Sequence, residues 1–152
     1  MPELLRRLTP GEQALGREMF GDDLNLRRVR ILAIPAWNRP FVAGPRVIVW
    51  PARALPADFV AAPLHIQATF VHELAHVWQA QHGVGLLIAK LQAGDSPAAY
   101  AYDLTADLDF LALNIEQQAM VVEHAFLASR GALAPRPAAD YAALSPAWRG
   151  RA

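Results

Sequence analysis

One stretch of the sequence, TFVHELAHVWQAQH from Thr69 to His82, constrains the fold more than any other. Apolar side chains would lie on nearly every face of a helix built from these residues, so a buried helix is predicted. His72, Glu73 and His76 lie in its middle, where an unpaired charge would be expensive. The fold must therefore supply partners for these three side chains.

The order H-E-x-x-H gives the three side chains a specific chemistry. Because one turn of an α-helix contains 3.6 residues, His72 and His76 project from one face and can bind one Zn²⁺ ion. Glu73 would lie beside the metal without binding it, and could pass a proton from a metal-activated water to a leaving amine. The same string also occurs by chance on solvent-exposed helices, but the apolar surroundings here favour a metal site.

Length and composition exclude several other kinds of protein. The 152 residues fit one domain with a sizeable core. The formal net charge is zero and there is no basic stripe, so no nucleic-acid partner is predicted. With no cysteine in the chain, any metal must be held by His, Asp or Glu. The N-terminal residues do not form a secretory signal and no uncharged apolar run could span a bilayer, so a cytoplasmic protein is expected, compatible with export by a non-Sec system.

Helix and strand signals predict the order α-β-β-α-(β)-α, which is a small α+β domain. A capping-box pattern that begins at Thr9 predicts a first helix over Pro10–Phe20. The β-branched segments RRVRILAIP and RVIVWPA are predicted strands, joined by a loop or hairpin connection. The H-E-x-x-H segment belongs to a predicted helix over Leu64–Gln81.

The second half of the sequence has weaker signals. VGLLIAKLQAG fits a short helix or a strand, and AAYAYDL alternates like an edge strand. DLDFLALNIEQQAMVVEHAFLASRG is predicted to be a third long helix that closes at Arg130 and Gly131. We predict one domain over residues 1–131, and a Pro- and Ala-rich tail over residues 132–152 that lies on the surface or frays.

A catalytic zinc site usually has three protein ligands and a water, so a third ligand is needed. His82 has the spacing of the last histidine in H-E-x-x-H-x-x-G-x-x-H enzymes. However, Gln79 replaces the glycine that turns the chain there, and on a continuing helix His82 would point away from His76. Glu116, among apolar neighbours on the third predicted helix, is the stronger candidate. Glu123 on the same face is a reserve ligand or an outer partner.

Two further roles are needed at such a site. Tyr100 and Tyr102 precede the third predicted helix, and either hydroxyl could act in catalysis by stabilising a tetrahedral oxyanion. Taken singly, each tyrosine is explained more simply as an aromatic residue on an edge strand. The group that orients a zinc histidine is left open among four polar residues, which are Asp103, Asp107, Asn114 and Gln117.

The sequence resembles small bacterial Vgr-related proteins in three segments. They are LTPGEQALGREMFGDDLNLRRVRI, FVHELAHVWQAQHG and YAYDL…NIEQQA. They are also similar to the metallopeptidase domain in core proteins of extracellular contractile injection systems, over about Leu8 to His124. The resemblance implies a zincin-like, minimal gluzincin fold, with the H-E-x-x-H helix packed on a Glu-bearing helix beside a small sheet. It implies His72, His76 and Glu116 as zinc ligands. It also implies Glu73 as general base and a link to secretion machinery.

Two functions of different class are consistent with these features. The first is a zinc metallopeptidase that acts on a peptide or protein substrate, with a substrate strand paired to an edge strand such as RVIVWPA. The second is a non-catalytic interaction module that docks onto a secretion or contractile-injection assembly and holds its metal structurally. An open fourth metal position would favour the enzyme, and four protein ligands would favour the module.

Overall fold

A computed structural model describes residues 4–105 and 107–150, and within them lie four strands and seven helices. The strands are β1 (Leu5–Arg7), β2 (Arg30–Ile34), β3 (Phe41–Ala43) and β4 (Val47–Pro51). The helices are α1 (Pro10–Phe20), α2 (Leu64–Gln81), α3 (Leu86–Ala93), α4 (Pro97–Tyr100), α5 (Ile115–Ser129), α6 (Ala138–Leu144) and α7 (Pro146–Arg149). The predicted α+β class is confirmed, and so are the predicted bounds of α1 and α2.

The sheet has the strand order β1-β2-β4-β3. The central pair, β2 and β4, is parallel and places Ile31 opposite Ile48, and both side chains are fully buried. The outer strands β1 and β3 pair antiparallel to their neighbours. The expectation that RVIVWPA is an edge strand is wrong, because residues of the preceding predicted connection form β3 and cover the outer side of β4.

A buried carboxylate joins the sheet to α1. Thr9 caps α1 by accepting a hydrogen bond from the Glu12 amide, and Glu12 in turn accepts one from the Thr9 amide. The fully buried Glu12 carboxylate also binds both terminal guanidinium nitrogens of Arg6, at 2.8 and 3.0 Å, and the Phe59 amide at 2.8 Å. These donors satisfy the charge, as a buried ionised group requires.

Helix α2 is the central element, and every residue from Phe70 to Gln79 is buried. A helix that is apolar on all sides needs partners all round, and α5 provides the largest of them, through buried residues such as Val122 and Phe126. The prediction that the third helix begins near residue 107 is wrong. A 3-10 turn at Phe110–Ala112 comes first, and a capping box between Asn114 and Gln117 then starts α5.

The segment between α2 and α5 is helical where its sequence was ambiguous. VGLLIAKLQAG contains α3, and no residue of α3 is buried. Leu87, Ile88 and Leu91 expose 63–77% of their surface, so α3 presents an apolar face to solvent. AAYAYDL is not an edge strand, because it holds the end of α4 followed by chain outside the sheet.

The C-terminal segment also contributes to the core. Tyr141 on α6 and Trp148 on α7 are each 1% exposed, so the expectation that these residues lie on the surface or fray is wrong. The chain around α7 also packs closely on the end of α1, where a Cβ added at Gly21 (φ +58°) would lie 2.6 Å from the Arg149 carbonyl oxygen. The domain boundary at residue 131 stays a prediction. Within the described residues, no helix is both long and apolar enough to cross a membrane.

Candidate metal centre

Three buried side chains from two helices converge at the contact between α2 and α5. They are His72 and His76 of α2 and Glu116 of α5, and one potential ligand atom from each lies within 4.8 Å of the other two. Nε2 of His76 is 2.9 Å from Oε1 of Glu116, and Nε2 of His72 is 3.6 Å from Oε2. The three side chains could together hold one metal ion.

The other ring nitrogen of each histidine has its own partner. Nδ1 of His76 lies 2.8 Å from the amide oxygen of Gln79, and Nδ1 of His72 lies 3.2 Å from a carboxylate oxygen of Glu123. Because each of these oxygens can accept a hydrogen bond from Nδ1, each ring directs its other nitrogen, Nε2, toward Glu116. In a neutral ring that nitrogen carries a lone pair, and a lone pair facing a carboxylate oxygen at 2.9 Å needs a positive charge between them. The donor arrangement therefore fits a bound cation.

The charge balance of the cluster supports the same fit. Three carboxylates, those of Glu73, Glu116 and Glu123, surround two imidazoles, and the one lysine nearby lies 3.7 Å from Glu116, so the net charge of the cluster is negative unless a bound cation or added protons compensate it. Without a metal, protons do so. Burial opposes the charged ring, but hydrogen bonds to Glu116 and Glu123 raise the pKa of His72 to about 10. Burial likewise opposes the charged form of Glu116, yet the two imidazoles hold the pKa of that carboxyl below its ordinary value.

Glu73 lies next to both histidines on α2, but in the part of the chain that the structure describes its side chain forms no hydrogen bond with either ring. Its side chain is buried, and within the described residues its Oε2 atom has no hydrogen-bond partner. Burial raises the pKa of this carboxyl, and the positive charge that His76 and His72 can carry lowers it. An unsatisfied buried carboxylate oxygen beside a possible metal site is a place for a water or a substrate atom.

Lys90, the one lysine in the sequence, closes one side of the site. Its Nζ atom donates a hydrogen bond to the Tyr100 hydroxyl at 2.7 Å, pairs with Asp95 at 2.7 Å, and lies 3.7 Å from Oε2 of Glu116. The exposed α3 helix is thus linked through the Lys90 cation to α5, which carries Glu116. Through Lys90, Tyr100 lies close to the candidate site.

Comparison with solved structures finds the effector domain of Pseudomonas aeruginosa VgrG2b, with a TM-score of 0.71 and 30% sequence identity. The match covers 94% of this chain and 82% of that domain. The chain belongs to the family of the VgrG2b effector domain. The Vgr resemblance found in the sequence is confirmed at this level.

A curated relative of this VgrG2b-type domain is the type VI secretion system spike protein VgrG2b of Pseudomonas aeruginosa. The two are 35% identical over 134 residues, which cover 80% of this chain. The chain spans only 13% of the length of that relative. No protein-family model matches the sequence.

The second predicted tyrosine of this VgrG2b-type domain has other partners. The hydroxyl of Tyr102 lies 2.6 Å from Nδ1 of His124 and 2.6 Å from the Tyr141 hydroxyl, and so joins α5 to α6. Burial raises the pKa of Tyr102. Its catalytic role stays a prediction, as does that of Tyr100.

His82 is directed away from the cluster. Its ring contacts the Trp78 carbonyl oxygen through Nδ1 and Asp23 through Nε2, at 2.7 and 3.1 Å. Two of the residues considered as orienting groups, Asn114 and Gln117, instead cap α5. Sequence reasoning did not find Gln79 or Lys90 as parts of the site. The helical spacing of Gln79, three residues after His76, is a signal that could have found it.

Proposed function

We propose that this domain is a zinc-dependent metallopeptidase, in which His72, His76 and Glu116 hold Zn²⁺. The observation that carries the proposal is the convergence of two Nε2 atoms on one buried carboxylate. Two histidines and a glutamate are a known ligand set of catalytic zinc. When bound, zinc acts as a Lewis acid on the scissile carbonyl and lowers the pKa of water to about 7.

Glu73 is the proposed general base. It removes a proton from the attacking water and delivers that proton to the leaving amine. Its burial raises its pKa and so makes its carboxylate a stronger base. Its free Oε2 atom is available to a water molecule because no described protein group occupies it.

Of the two tyrosines that the sequence offers for an oxyanion-stabilising role, Tyr100 is the one we propose, because the Tyr102 hydroxyl is engaged with His124 and Tyr141. The Tyr100 hydroxyl accepts a hydrogen bond from Lys90 at 2.7 Å and donates a long one to Asp95 at 3.4 Å, which it could exchange for one to a substrate oxygen. Lys90 lies 3.7 Å from Glu116, so this pair is next to the proposed ligands. Donors of this kind act on the charge that develops on the carbonyl oxygen during attack.

The family relationship supports a setting for this activity. Its relative is named as a spike protein of a type VI secretion system, and the solved domain as an effector. We accordingly propose that this domain is an effector that associates with secretion-system components and is exported by that route from the cytoplasm. Its substrate would be a peptide or protein that it meets after export.

The alternative is a metal-containing interaction module without catalysis. That function predicts a fourth protein ligand. Within the described residues, the group that could hold a metal contains three ligating side chains. Glu123, the nearest further carboxylate on α5, contacts the outer nitrogen of His72 instead. The arrangement thus supports the enzyme over the module.

The experiment compares wild-type protein with Glu73→Gln on a library of proteome-derived peptides, with cleavage detected by mass spectrometry. Loss of a general base should lower the rate by about 10²–10⁴-fold, while zinc content stays at the wild-type level because Glu73 is not a ligand. Glu18→Gln, a surface change of the same kind, is the matched control. Equal cleavage by Glu73→Gln and wild type would refute the mechanism. No cleavage by zinc-loaded wild type would favour the module.

A further inference from the structure

A chain of buried side-chain amides extends from His76 to the start of α5. Gln79, 1% exposed, has its amide oxygen 2.8 Å from Nδ1 of His76. Its amide nitrogen donates to the Ile115 carbonyl oxygen and to the side-chain oxygen of Gln118, both at 2.9 Å. Gln118 then donates to the Phe110 carbonyl oxygen at 3.2 Å.

The two backbone carbonyls determine the direction of every hydrogen bond in this chain. A carbonyl oxygen only accepts, so Gln118 must present its NH₂ group to Phe110 and Gln79 must present its NH₂ group to Ile115. The oxygen of Gln79 therefore faces His76. A ring nitrogen that faces an amide oxygen at 2.8 Å must carry the proton, so the proton of a neutral His76 lies on Nδ1.

We propose that Gln79, held in place by Gln118, is a positioning residue that keeps the proton of His76 on Nδ1 and so reserves Nε2 for the metal. The proposal deepens the proposed zinc site and rests on it for the role of Nε2. The hydrogen-bond chain also fixes the plane of the ring, because Gln79 is anchored at the N-terminal end of the helix that carries Glu116.

The choice of an amide at this position has a physical reason. Metal-binding histidines commonly donate their second ring proton to a carboxylate, as His72 does to Glu123. A carboxylate in place of Gln79 would add a fourth acid to a cluster that already contains the buried Glu73 and Glu116 and the half-buried Glu123. It would also turn an oxygen toward the Ile115 carbonyl oxygen. Glutamine orients His76 without either cost.

The first test needs no variant. The ¹⁵N chemical shifts of the His76 ring are measured in ion-free protein over a pH series that includes the neutral ring. They are also measured in zinc-loaded protein. We expect the proton on Nδ1 in both samples. A neutral ring that carries its proton on Nε2 would overturn the proposal. Because the ion-free sample reports the tautomer even if zinc does not bind, this result is separate from that of the proposed function.

The second test measures zinc affinity by competition with a chelator. Gln79→Met removes the acceptor and should weaken binding by about 10–100-fold, as is usual when the partner of a metal-binding histidine is lost. Gln81→Met is the matched control, because Gln81 lies on the same helix and hydrogen-bonds to the backbone of Asn25 and Pro45 but to no histidine. Its zinc affinity should stay close to wild type. Equal losses in the two variants would assign Gln79 a merely structural role.

The Gln79→Glu variant tests the orientation of the His76 ring separately from the stability of the protein. It keeps an acceptor at Nδ1 of His76 but places an oxygen against two other acceptors, so it should lower the unfolding midpoint while recovering most of the zinc affinity lost in Gln79→Met. If Gln79→Glu binds zinc as weakly as Gln79→Met, or if Gln79→Met binds as tightly as wild type, the proposal is wrong. Wild-type protein that binds no zinc would instead refute the proposed function and leave the tautomer assignment to the ¹⁵N measurement.

Discussion

Nε2 of His76 lies 2.9 Å from the carboxylate of Glu116, although the two residues belong to different helices. This contact forms only when α5 packs on α2, so the candidate ligand set is a product of tertiary folding. Glu73 is buried on α2, and Lys90 of α3 lies 3.7 Å from Glu116. The centre and the core of the domain are therefore stabilised by the same helix pair.

Removal of any one proposed ligand should abolish stoichiometric zinc. We expect His72→Ala, His76→Ala and Glu116→Ala each to purify with less than about a tenth of the wild-type zinc, because three protein ligands are the usual minimum for such a site. His82→Ala is the control, since His82 contacts Asp23 and Trp78 instead. Elemental analysis of the dialysed proteins makes the measurement. Full zinc content in Glu116→Ala would show that the third ligand is misassigned.

Zinc binding should release protons and become tighter as the pH rises. In ion-free protein the pKa of His72 is about 10, against an ordinary value of 6.5, and the metal needs the neutral ring. Below pH 10 the dissociation constant should fall by about tenfold per pH unit for each proton released. Titration calorimetry in two buffers of different ionisation enthalpy counts the protons. A dissociation constant that does not vary over this range would be inconsistent with His72 as a ligand.

The raised pKa of His72 also predicts that ion-free protein becomes less stable as the pH rises. Because folding raises the pKa of His72, its stabilising contribution is complete below pH 6.5 and is lost as the pH rises toward 10. Urea unfolding of chelator-treated protein at several pH values tests this, and His72→Gln should remove most of the dependence in that window. An unchanged dependence in His72→Gln would assign it to another group.

Glu12 should matter far more to stability than a surface glutamate. Glu12→Gln disrupts a fully buried carboxylate that binds Arg6 and two backbone amides, and should cost about 3 kcal/mol of unfolding free energy. Glu18→Gln breaks an exposed pair with Arg130 and should cost about 0–1 kcal/mol. Chemical denaturation of both variants provides the comparison. Similar losses would mean that the buried pair adds no more than the exposed one.

The C-terminal helices should prove necessary for the core. Trp148→Ala should cost about 3–5 kcal/mol because it leaves a large cavity beside Phe110. Trp148→Phe should cost much less, since the indole nitrogen has no hydrogen-bond partner in the described structure. Trp37→Ala, at an exposed tryptophan, should change stability by about 0.5 kcal/mol or less. Thermal unfolding ranks the three variants, and equal midpoints for Trp148→Ala and Trp37→Ala would argue against a structural role for α7.

We expect substitution of Tyr100 to affect catalysis and substitution of Tyr102 to affect stability. Tyr100→Phe should lower kcat by about 10–100-fold if its hydroxyl stabilises the oxyanion, with little change in stability. Tyr102→Phe removes hydrogen bonds to His124 and Tyr141 and should cost about 1 kcal/mol of stability, with kcat preserved. Steady-state kinetics and urea unfolding distinguish the two. A loss of kcat in Tyr102→Phe alone would exchange these assignments.

The features predicted well from the sequence are those with local causes. The capping box at Thr9 and the apolar run around His72 depend on neighbouring residues, and α1 and α2 begin and end as predicted. The start of α5 was missed although the Asn114 and Gln117 pair is equally local, because the apolar residues before it were taken to continue the helix. Strand order depends on pairings between distant segments. No local pattern showed that β3 would cover β4.

The residues of the candidate site also divide into those that local spacing predicts and those that only tertiary packing brings together. His72, Glu73 and His76 follow one helical spacing, so the sequence alone brings them together. Glu116 joins them through the packing of a second helix, and the sequence could only suggest its place in the cluster. Lys90 comes from a helix whose own sequence is apolar. Only the fold brings its amine close to Glu116.

The helices α2 and α5, which carry the candidate ligands, pack directly on each other, and the chain between them, residues 82–114, contributes none of the three converging side chains. That connecting region nevertheless supplies Lys90, Tyr100 and the exposed apolar face of α3. Since the three converging side chains lie outside it, substitutions in this region should leave the candidate centre assembled. Changes to the exposed apolar face of α3 would therefore alter the surface that a partner meets and leave the candidate metal centre intact.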